Sequence, residues 1–243
     1  MTLKYRFKML TLTLFGDAIV ICNCDNCTDK TKSPKAIYNI KPVTAKAASV
    51  IIIKYHYLHR NTSISQAFGL FCNKTGFWVG VITYGTPSSA PLRSGICGKG
   101  EKMNVMELNR LWIRDDTPKN TESFLIGNTV KMVNKEIVVS FADASHGHIG
   151  TVYQATNWIY TGLSAKRTDW TIDGINRHGQ TLADKYTASE IRAKFGDKFK
   201  LVDRPRKHRY IFFNCSKKRQ KELIEKLMYK IKVYPKITQQ TEQ

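Results

Sequence analysis

Three cysteines within six residues, Cys22-Asn-Cys24-Asp-Asn-Cys27, are the densest cluster of chemically capable side chains in this 243-residue sequence. Thiolates so close together suit zinc or iron. A complete tetrahedral zinc site usually shows a second Cys or His pair at a defined distance, and none follows, so the metal question stays open. Histidines raise it again: His56 and His59 stand in Tyr55-His-Tyr-Leu-His-Arg60, and Asp143 is followed by His146 and His148. These could form a mixed carboxylate and imidazole site, although short histidine spacings also arise by chance. Asp143 ends the apolar run from Glu136 to Ala142, and a carboxylate there is a candidate base whose pKa a cleft would raise. Arg110-Leu-Trp112 ends another such run, followed by the polar turn Arg114 to Asn120 and a helix start at Asn120-Thr-Glu-Ser123. Free N–H groups and the helix dipole make that turn a seat for phosphate; the other reading is a plain strand-turn-helix link.

Several chemistries are excluded. The sequence holds no G-x-x-x-x-G-K-[ST], no G-x-G-x-x-G and no G-x-S-x-G, which argues against an NTPase, a dinucleotide oxidoreductase and a hydrolase with a nucleophile elbow. The charge points elsewhere. Lys and Arg number 39 against 19 Asp and Glu, a formal +20, and such a field calls for a polyanionic partner, nucleic acid before membrane. Between Arg204 and Lys232 eleven Lys and Arg face two Glu, a balance of +9 interleaved with Tyr210, Phe212 and Phe213. That pattern suits phosphate contact with base stacking, and Arg204, Arg206, Lys207, Arg209, Lys217, Lys218 and Arg219 are its candidate duplex contacts. The alternative is a solvated basic face beside ordinary core strand residues.

No apolar run approaches the roughly 20 residues that cross a bilayer. At the N-terminus Lys4, Arg6 and Lys8 precede Leu10, Leu12 and Leu14 alternating with threonine, which reads as a half-buried strand or hairpin rather than a signal peptide. The expectation is a soluble cytoplasmic protein with no membrane partner, its scattered cysteines reduced.

The elements that must position these residues follow from local pattern. Pro42 to His56 reads as a helix with Thr44 as N-cap. Ala67–Cys72 and Gly76–Tyr84 read as a hairpin, Pro87 to Gly100 as a Gly/Ser/Pro loop, and Asn104–Ile113 as a strand. A helix is expected from Thr121 through Val133, a buried strand over 136–142, and a helix from Gly150 to Tyr160 closed by Gly162. Thr187-Ala-Ser-Glu190 is a capping box. Arg209–Phe213 is a strand, and a terminal helix from Ser216 should bury Leu223, Ile224, Leu227, Met228 and Ile231. The alternation implies an α/β or α+β fold with a mixed sheet in one domain.

Five blocks carry a resemblance: Lys54-Tyr-His-Tyr-Leu-His-Arg60, Glu107-Leu-Asn-Arg-Leu-Trp112, Pro118-Lys-Asn-Thr-Glu-Ser123, Val139-Ser-Phe-Ala-Asp143 and Gly147-His-Ile-Gly-Thr-Val-Tyr-Gln-Ala-Thr-Asn-Trp158. In order and spacing they resemble the phage Mom family of DNA adenine modification proteins, a divergent branch of the GNAT acyltransferase superfamily. The resemblance implies a GNAT-like mixed central sheet flanked by helices over residues 37–235, an N-terminal extension over 1–36 and a tail over 236–243. It implies conversion of adenine in double-stranded DNA to an N6-carbamoylmethyl derivative, which protects phage DNA from host restriction. No obligatory protein partner is inferred.

The same resemblance implies acetyl-CoA or a related acyl donor, held by Arg110, Lys119, Asn120 and Ser123, although the turn lacks the glycine-rich signature usual in GNAT enzymes. It places functional positions at His56, Tyr57, Arg110, Ser123, Asp143 and Tyr153. Each has a structural alternative: Tyr57 a core aromatic, Arg110 a carboxylate partner, Ser123 a helix-start hydrogen-bonder, Asp143 a cap, Tyr153 a packed helix residue. Because adenine N6 is buried in the stack, the base must be flipped, and Tyr55, Tyr57 and Trp112 are candidates to stack it. Two other classes compete: a non-catalytic basic DNA-binding protein on this fold, and an N-acetyltransferase for a small amine or protein, which the positive charge disfavours. The three close cysteines lie outside the resemblance and lack a recognisable fourth ligand, so they are expected to be dispensable.

Overall fold

A computed structural model of the protein describes residues 19–175 and 179–236. The expected N-terminal strand or hairpin over Leu10 to Leu14 and residues 237–243 lie outside the described residues. In chain order the elements are α1 (Asp25–Thr28), α2 (Pro34–Ile37), β1 (Tyr38–Pro42), α3 (Ala45–Tyr55), β2 (Gln66–Cys72), β3 (Trp78–Gly85), α4 (Ala90–Cys97) and β4 (Val105–Ile113). They continue with α5 (Thr121–Thr129), β5 (Ile137–Asp143), α6 (Thr151–Gln154), β6 (Ile159–Leu163), β7 (Arg167–Ile172), α7 (Gly179–Lys185), α8 (Ala188–Phe195), β8 (Phe199–Arg204), β9 (Lys207–Phe213) and α9 (Lys217–Glu225).

Seven strands form one mixed sheet in the order β1-β2-β3-β4-β5-β9-β6. Every neighbouring pair is antiparallel except β4 and β5, which are parallel and joined through α5. Alternating residues serve the two faces. On one face Leu125 and Ile126 of α5 pack with Phe68, Leu70, Ile82 and Val138. On the other, Ala48, Ile51 and Ile52 of α3 meet Ala67 and Val81, while Ile96 and Leu223 of α4 and α9 cover Val105, Ile137 and Val139. Full burial of each such aliphatic side chain is worth about 1.5–3 kcal/mol.

Locally encoded elements stand where the sequence puts them. Thr44 caps α3 by accepting from the Ala47 amide, the β2–β3 hairpin forms, and Thr187 and Glu190 make a reciprocal capping box at α8. Others differ. The expected loop over 87–100 contains α4, because Ser89 caps it by accepting from the Leu92 amide and a proline sits in its first turn. The helix expected over 150–160 is one turn long: Asn157 takes φ 60°, and the chain turns directly into β6. The helix from Thr121 stops at Thr129. α9 ends at Glu225, and Ile224, Met228 and Ile231 are exposed rather than buried. Beyond it the chain runs extended, with the Met228 and Lys232 amides donating to the Ile96 and Tyr160 carbonyls.

Between β6 and β9 the chain builds a lobe of which the sequence pattern announces only the capping box. β7 and β8 pair as a separate two-stranded sheet, and Ile172, Leu182 and Ile191 form its own small core with Trp170, Phe195 and Phe199.

Candidate active site

The parallel pair at the centre of the sheet does not stay paired. β4 and β5 are in register from Val105 with Ile137 to Leu108 with Ser140. Beyond those residues β4 follows β3 and β5 follows β9. The divergence begins at a bulge: Leu108 and Arg110 oppose the consecutive Tyr84 and Thr83, so Asn109 is the extra residue. Asn109 is pinned there, accepting from Thr83 Oγ1 at 2.6 Å and donating to the Ser63 carbonyl at 2.8 Å. Bulges bend the bulged strand and redirect its side chains. A cleft of about 750 Å³ opens from the splay, lined by residues of β4 and β5, the end of α3, α6 and the base of the lobe.

Tyr153 lies at the cleft floor, 8% exposed, packed between Trp158 and Tyr210 at centroid distances of 5.2 and 5.1 Å. Its hydroxyl is 2.8 Å from Ser140 Oγ, which is 2.9 Å from the Leu108 carbonyl. Ser140 has one hydroxyl hydrogen and a carbonyl can only accept, so Ser140 donates to Leu108 and Tyr153 donates to Ser140. Burial pushes Tyr153 up to about 12, so it carries its proton at neutral pH. Gly150 makes this packing possible: its φ is +81°, and a Cβ there would lie 2.4 Å from the Tyr210 ring.

The two carboxylates of the cleft differ. Asp143 is partly buried, which would raise its pKa, but Lys207 Nζ at 2.7 Å and the Ser145 hydroxyl and amide hold it at about 2. The expected raised pKa at Asp143 is therefore corrected, because the strand β9 brings a cation to the end of β5. The raised carboxylate is Glu107. Burial pushes it up, the charges of Arg110 and Lys207 oppose this only in part, and no described residue hydrogen-bonds to it. Arg110 donates from Nη1 to the Asn109 carbonyl at 2.6 Å, while its buried Nε has no partner among the described residues.

His56 is buried, and its Nδ1 accepts from the Leu58 amide at 3.1 Å, so the ring proton sits on Nε2. Burial, together with the charges of Arg110 and His59, lowers it to about 4. Tyr57 stacks on it at 4.4 Å and is itself 53% exposed at the cleft wall. Tyr55 and Trp112, the other candidate stackers, stack on each other at 4.8 Å and pack beside α3 outside the cleft. His59 turns away with φ 44°, its Nδ1 against the Ile53 carbonyl, so the two histidines do not converge.

The fold thus gathers His56, Tyr57, Arg110, Asp143 and Tyr153 in one cleft and adds Glu107. Ser123, Lys119 and Asn120 do not line it: Ser123 donates to the Asn120 carbonyl at the helix start, and the other two are exposed in the turn. That turn does not fit a pyrophosphate. It has no glycine, exposes Asp115 and Asp116, ties Arg114 to Asp116, and spends the Thr121 amide on the Pro118 carbonyl.

The basic segment is divided as well. Arg204, Lys207 and Arg209 line the cleft, with Arg209 donating to Thr161 and lying 3.3 Å over the Tyr229 ring. Arg206 donates to the Ser164 and Leu163 carbonyls at its edge. Lys217, Lys218 and Arg219 follow the other end of β9, which pairs with Ile137 and not with Asp143, about 20 Å away along the strand. Arg219 is committed to Glu101, Glu136 and Glu222 at 2.8, 3.0 and 3.3 Å. The basic segment 204–232, expected to form a single contact surface, is thus divided between the cleft and the far end of β9.

A buried protonated tyrosine, a carboxylate of raised pKa and an arginine with an unused donor, set in the splay of two parallel strands, make this a group-transfer cleft on an α/β scaffold. Residues 37–236 match the Mom protein family, and the chain belongs to it. The methylcarbamoylase Mom of Escherichia phage Mu is 30% identical over 205 residues, which cover 81% of this chain and 83% of that protein. Among solved structures, a putative acetyltransferase from Acinetobacter baylyi ADP1 is similar with a TM-score of 0.42 and 11% identity, covering 73% of this chain and 92% of that one. A GNAT family acetyltransferase from Bacillus cereus gives 0.41 and 10%, covering 74% and 99%.

Proposed function

We propose that this protein transfers a carbamoylmethyl group to the N6 amine of an adenine flipped out of duplex DNA into the β4–β5 cleft, and so shields phage DNA from host restriction. The observation that carries the reading is the convergence of two groups in one cleft: Glu107, a carboxylate made more basic by burial, and Tyr153, which holds its proton. Family membership and the relative's name supply the group and the DNA target.

In the reaction the N6 lone pair attacks the methylene carbon of the donor. The N–C bond forms, the bond from that carbon to the leaving group breaks, and its electron pair departs with the leaving group. Glu107 takes the N6 proton, and Tyr153 turns its hydroxyl from Ser140 to protonate the leaving group. Arg110, whose side chain lines the cleft, holds the donor's carbonyl oxygen through its guanidinium. Tyr57, backed by His56, offers its exposed face to the extruded base. Asp143, ionised and fixed by Lys207, accepts from the other N6 hydrogen and positions the amine. Arg204 and Lys207 meet the flanking backbone phosphates.

No step is routed through coenzyme A. The β4–α5 turn does not suit its pyrophosphate, and an acetyl group lacks the amide nitrogen of the product and would join N6 by its carbonyl carbon. The donor is therefore a carbamoylmethyl group activated at its methylene. Mass spectrometry of nucleosides from DNA coexpressed with the protein tests the reading. N6-carbamoylmethyl deoxyadenosine is expected with the wild type and absent with Glu107→Gln; unmodified DNA with well-folded wild type would overturn it.

A further inference from the structure

Away from the cleft, the segment that precedes the family match is fastened to the sheet by four thiols. Cys22, Cys24 and Cys27 meet Cys72, the last residue of β2, and the four sulfurs all lie within 4.8 Å of one another. Individual separations are 3.3 Å for Cys22 to Cys27, 3.4 Å for Cys22 to Cys24, 3.6 Å for Cys24 to Cys72 and 3.7 Å for Cys24 to Cys27. The fourth ligand missing from the sequence pattern is thus present, 45 residues beyond Cys27 and delivered by the β2–β3 hairpin.

We propose that Cys22, Cys24, Cys27 and Cys72 hold one zinc ion in a closed tetrathiolate site. A zinc–sulfur bond of about 2.3 Å places tetrahedral sulfurs about 3.8 Å apart, close to the spacing seen. Disulfides do not account for it, since a bonded pair stands at about 2.05 Å and all four cysteines are free. A multi-iron cluster needs its thiolates farther apart than a single ion does. Cys22, Cys27 and Cys72 are fully buried, where four facing thiols without an ion make only weak mutual hydrogen bonds.

The surroundings also suit thiolate charge. The Thr75 hydroxyl is 3.2 Å from Cys22 Sγ, and the Asn26 side-chain amide reaches toward Cys72. The backbone amides of Lys74 and Thr75, in the turn after β2, also point at Cys72. Such donors orient ligands and spread their charge. With four protein ligands there is no open position for substrate, so the ion is structural. Its mechanical effect is to bind residues 19–28 to the hairpin, where the Cys22 amide also donates to the Trp78 carbonyl at 2.7 Å and Tyr38 Oη donates to the Cys27 carbonyl at 2.5 Å. Cys72 supplies the fourth ligand whose absence was one ground for expecting these cysteines to be dispensable.

The test uses the full chain purified under reducing conditions without chelators. Elemental analysis should find one zinc per chain. Cobalt exchanged into the wild type should give thiolate-to-cobalt charge transfer and the visible bands of a tetrahedral site. Cys24→Ser, at the least buried ligand, should weaken zinc in competition with a chromophoric chelator by roughly tenfold or more, whereas Cys97→Ser and Cys215→Ser should leave it unchanged. Wild-type protein that neither contains nor takes up stoichiometric zinc overturns the proposal, as does a wild-type cobalt spectrum in both Cys24→Ser and Cys72→Ser. Iron in place of zinc at one per chain overturns the choice of metal.

Discussion

Two groups of charges flank the same sheet, one at the start of α9 and one in the cleft, and they are treated in opposite ways. At the start of α9 the Arg219 guanidinium spends Nη2, Nε and Nη1 on three different carboxylates, and Glu101 receives Lys226 as well at 2.9 Å. Glu101 is held below its ordinary pKa by Lys226 and Arg219. In the cleft, Glu107 is pushed above its ordinary value and Arg110 keeps a buried nitrogen unpaired. Matched charge holds a structure together; mismatched charge, kept in place by the same sheet, marks a candidate site. The excess that makes a site reactive is also a cost to stability.

The sharpest break of this contrast is Glu107→Gln. It should lower adenine modification by about 10²-fold or more, read by nucleoside mass spectrometry, while leaving the melting temperature at neutral pH equal or higher. The sign follows from linkage. A carboxylate whose folded pKa is raised favours folding below its ordinary range, and that contribution is lost as pH rises through the raised value. Ionised Glu107 therefore weighs against the fold at neutral pH. A fall in melting temperature together with intact modification would assign Glu107 to structure.

Tyr153→Phe should cost about 10–10²-fold in modification with little loss of fold, because Ser140 keeps its bond to Leu108. Combined with Glu107→Gln it should add less than the product of the single losses, since both protons move in one step. Full multiplicativity would place the two residues in separate steps.

Arg219→Ala tests the matched side. It strips Glu101 and Glu136 of a partner and should lower the urea concentration at the unfolding midpoint. Modification per folded molecule should stay unchanged, and a specific loss of activity would mean that the two charge groups are coupled.

His56 supplies a pH test on the mismatched side. Its folded pKa of about 4 lies below its ordinary value of 6.5, so its contribution to stability is present above the ordinary value and lost as pH falls toward 4. His56→Phe should flatten that part of the pH–stability curve, and a curve with the wild-type slope would remove His56 as its source. The smallest effect concerns DNA. Arg204→Ala with Arg167→Ala, two arginines that line the cleft, should lower the log–log salt slope of duplex binding by about 0.9 for each phosphate no longer neutralised. Lys217→Ala with Lys218→Ala should change it less, and the reverse order would move the duplex to α9.

Elements with local instructions were legible: the Thr44 cap, the hairpin turn after Cys72 and the Thr187–Glu190 box each act within a few residues. α4 was hidden because its glycine and proline resemble a loop, yet Gly95 faces the Tyr229 hydroxyl, where an added Cβ would stand at 3.1 Å. β7 and β8 escaped because most of their residues are exposed or half-buried and show no clean alternation. In the cleft, the resemblance brought out residues at strand and helix ends. Glu107 stood in a quoted block without a role, because only burial by the folded sheet shifts its pKa. Cys72 was invisible as a ligand for the same reason: its partners reach it through pairing of β1, β2 and β3, not through spacing.

Strand order also sets a timetable. β9 lies between β5 and β6 in the sheet, yet it begins more than sixty residues after β5 ends. On a ribosome adding about 5–20 residues per second, β5 waits several seconds with one side of its ladder open. During that interval Ile137-Val-Val-Ser-Phe-Ala142 is an apolar edge of the kind that recruits other strands. Lys207 arrives with β9, so the ion pair that fixes Asp143 is among the last to form. A nascent chain released before residue 207 therefore lacks the cation that fixes Asp143 and leaves the β5 edge open to other strands until β9 fills the gap in the sheet.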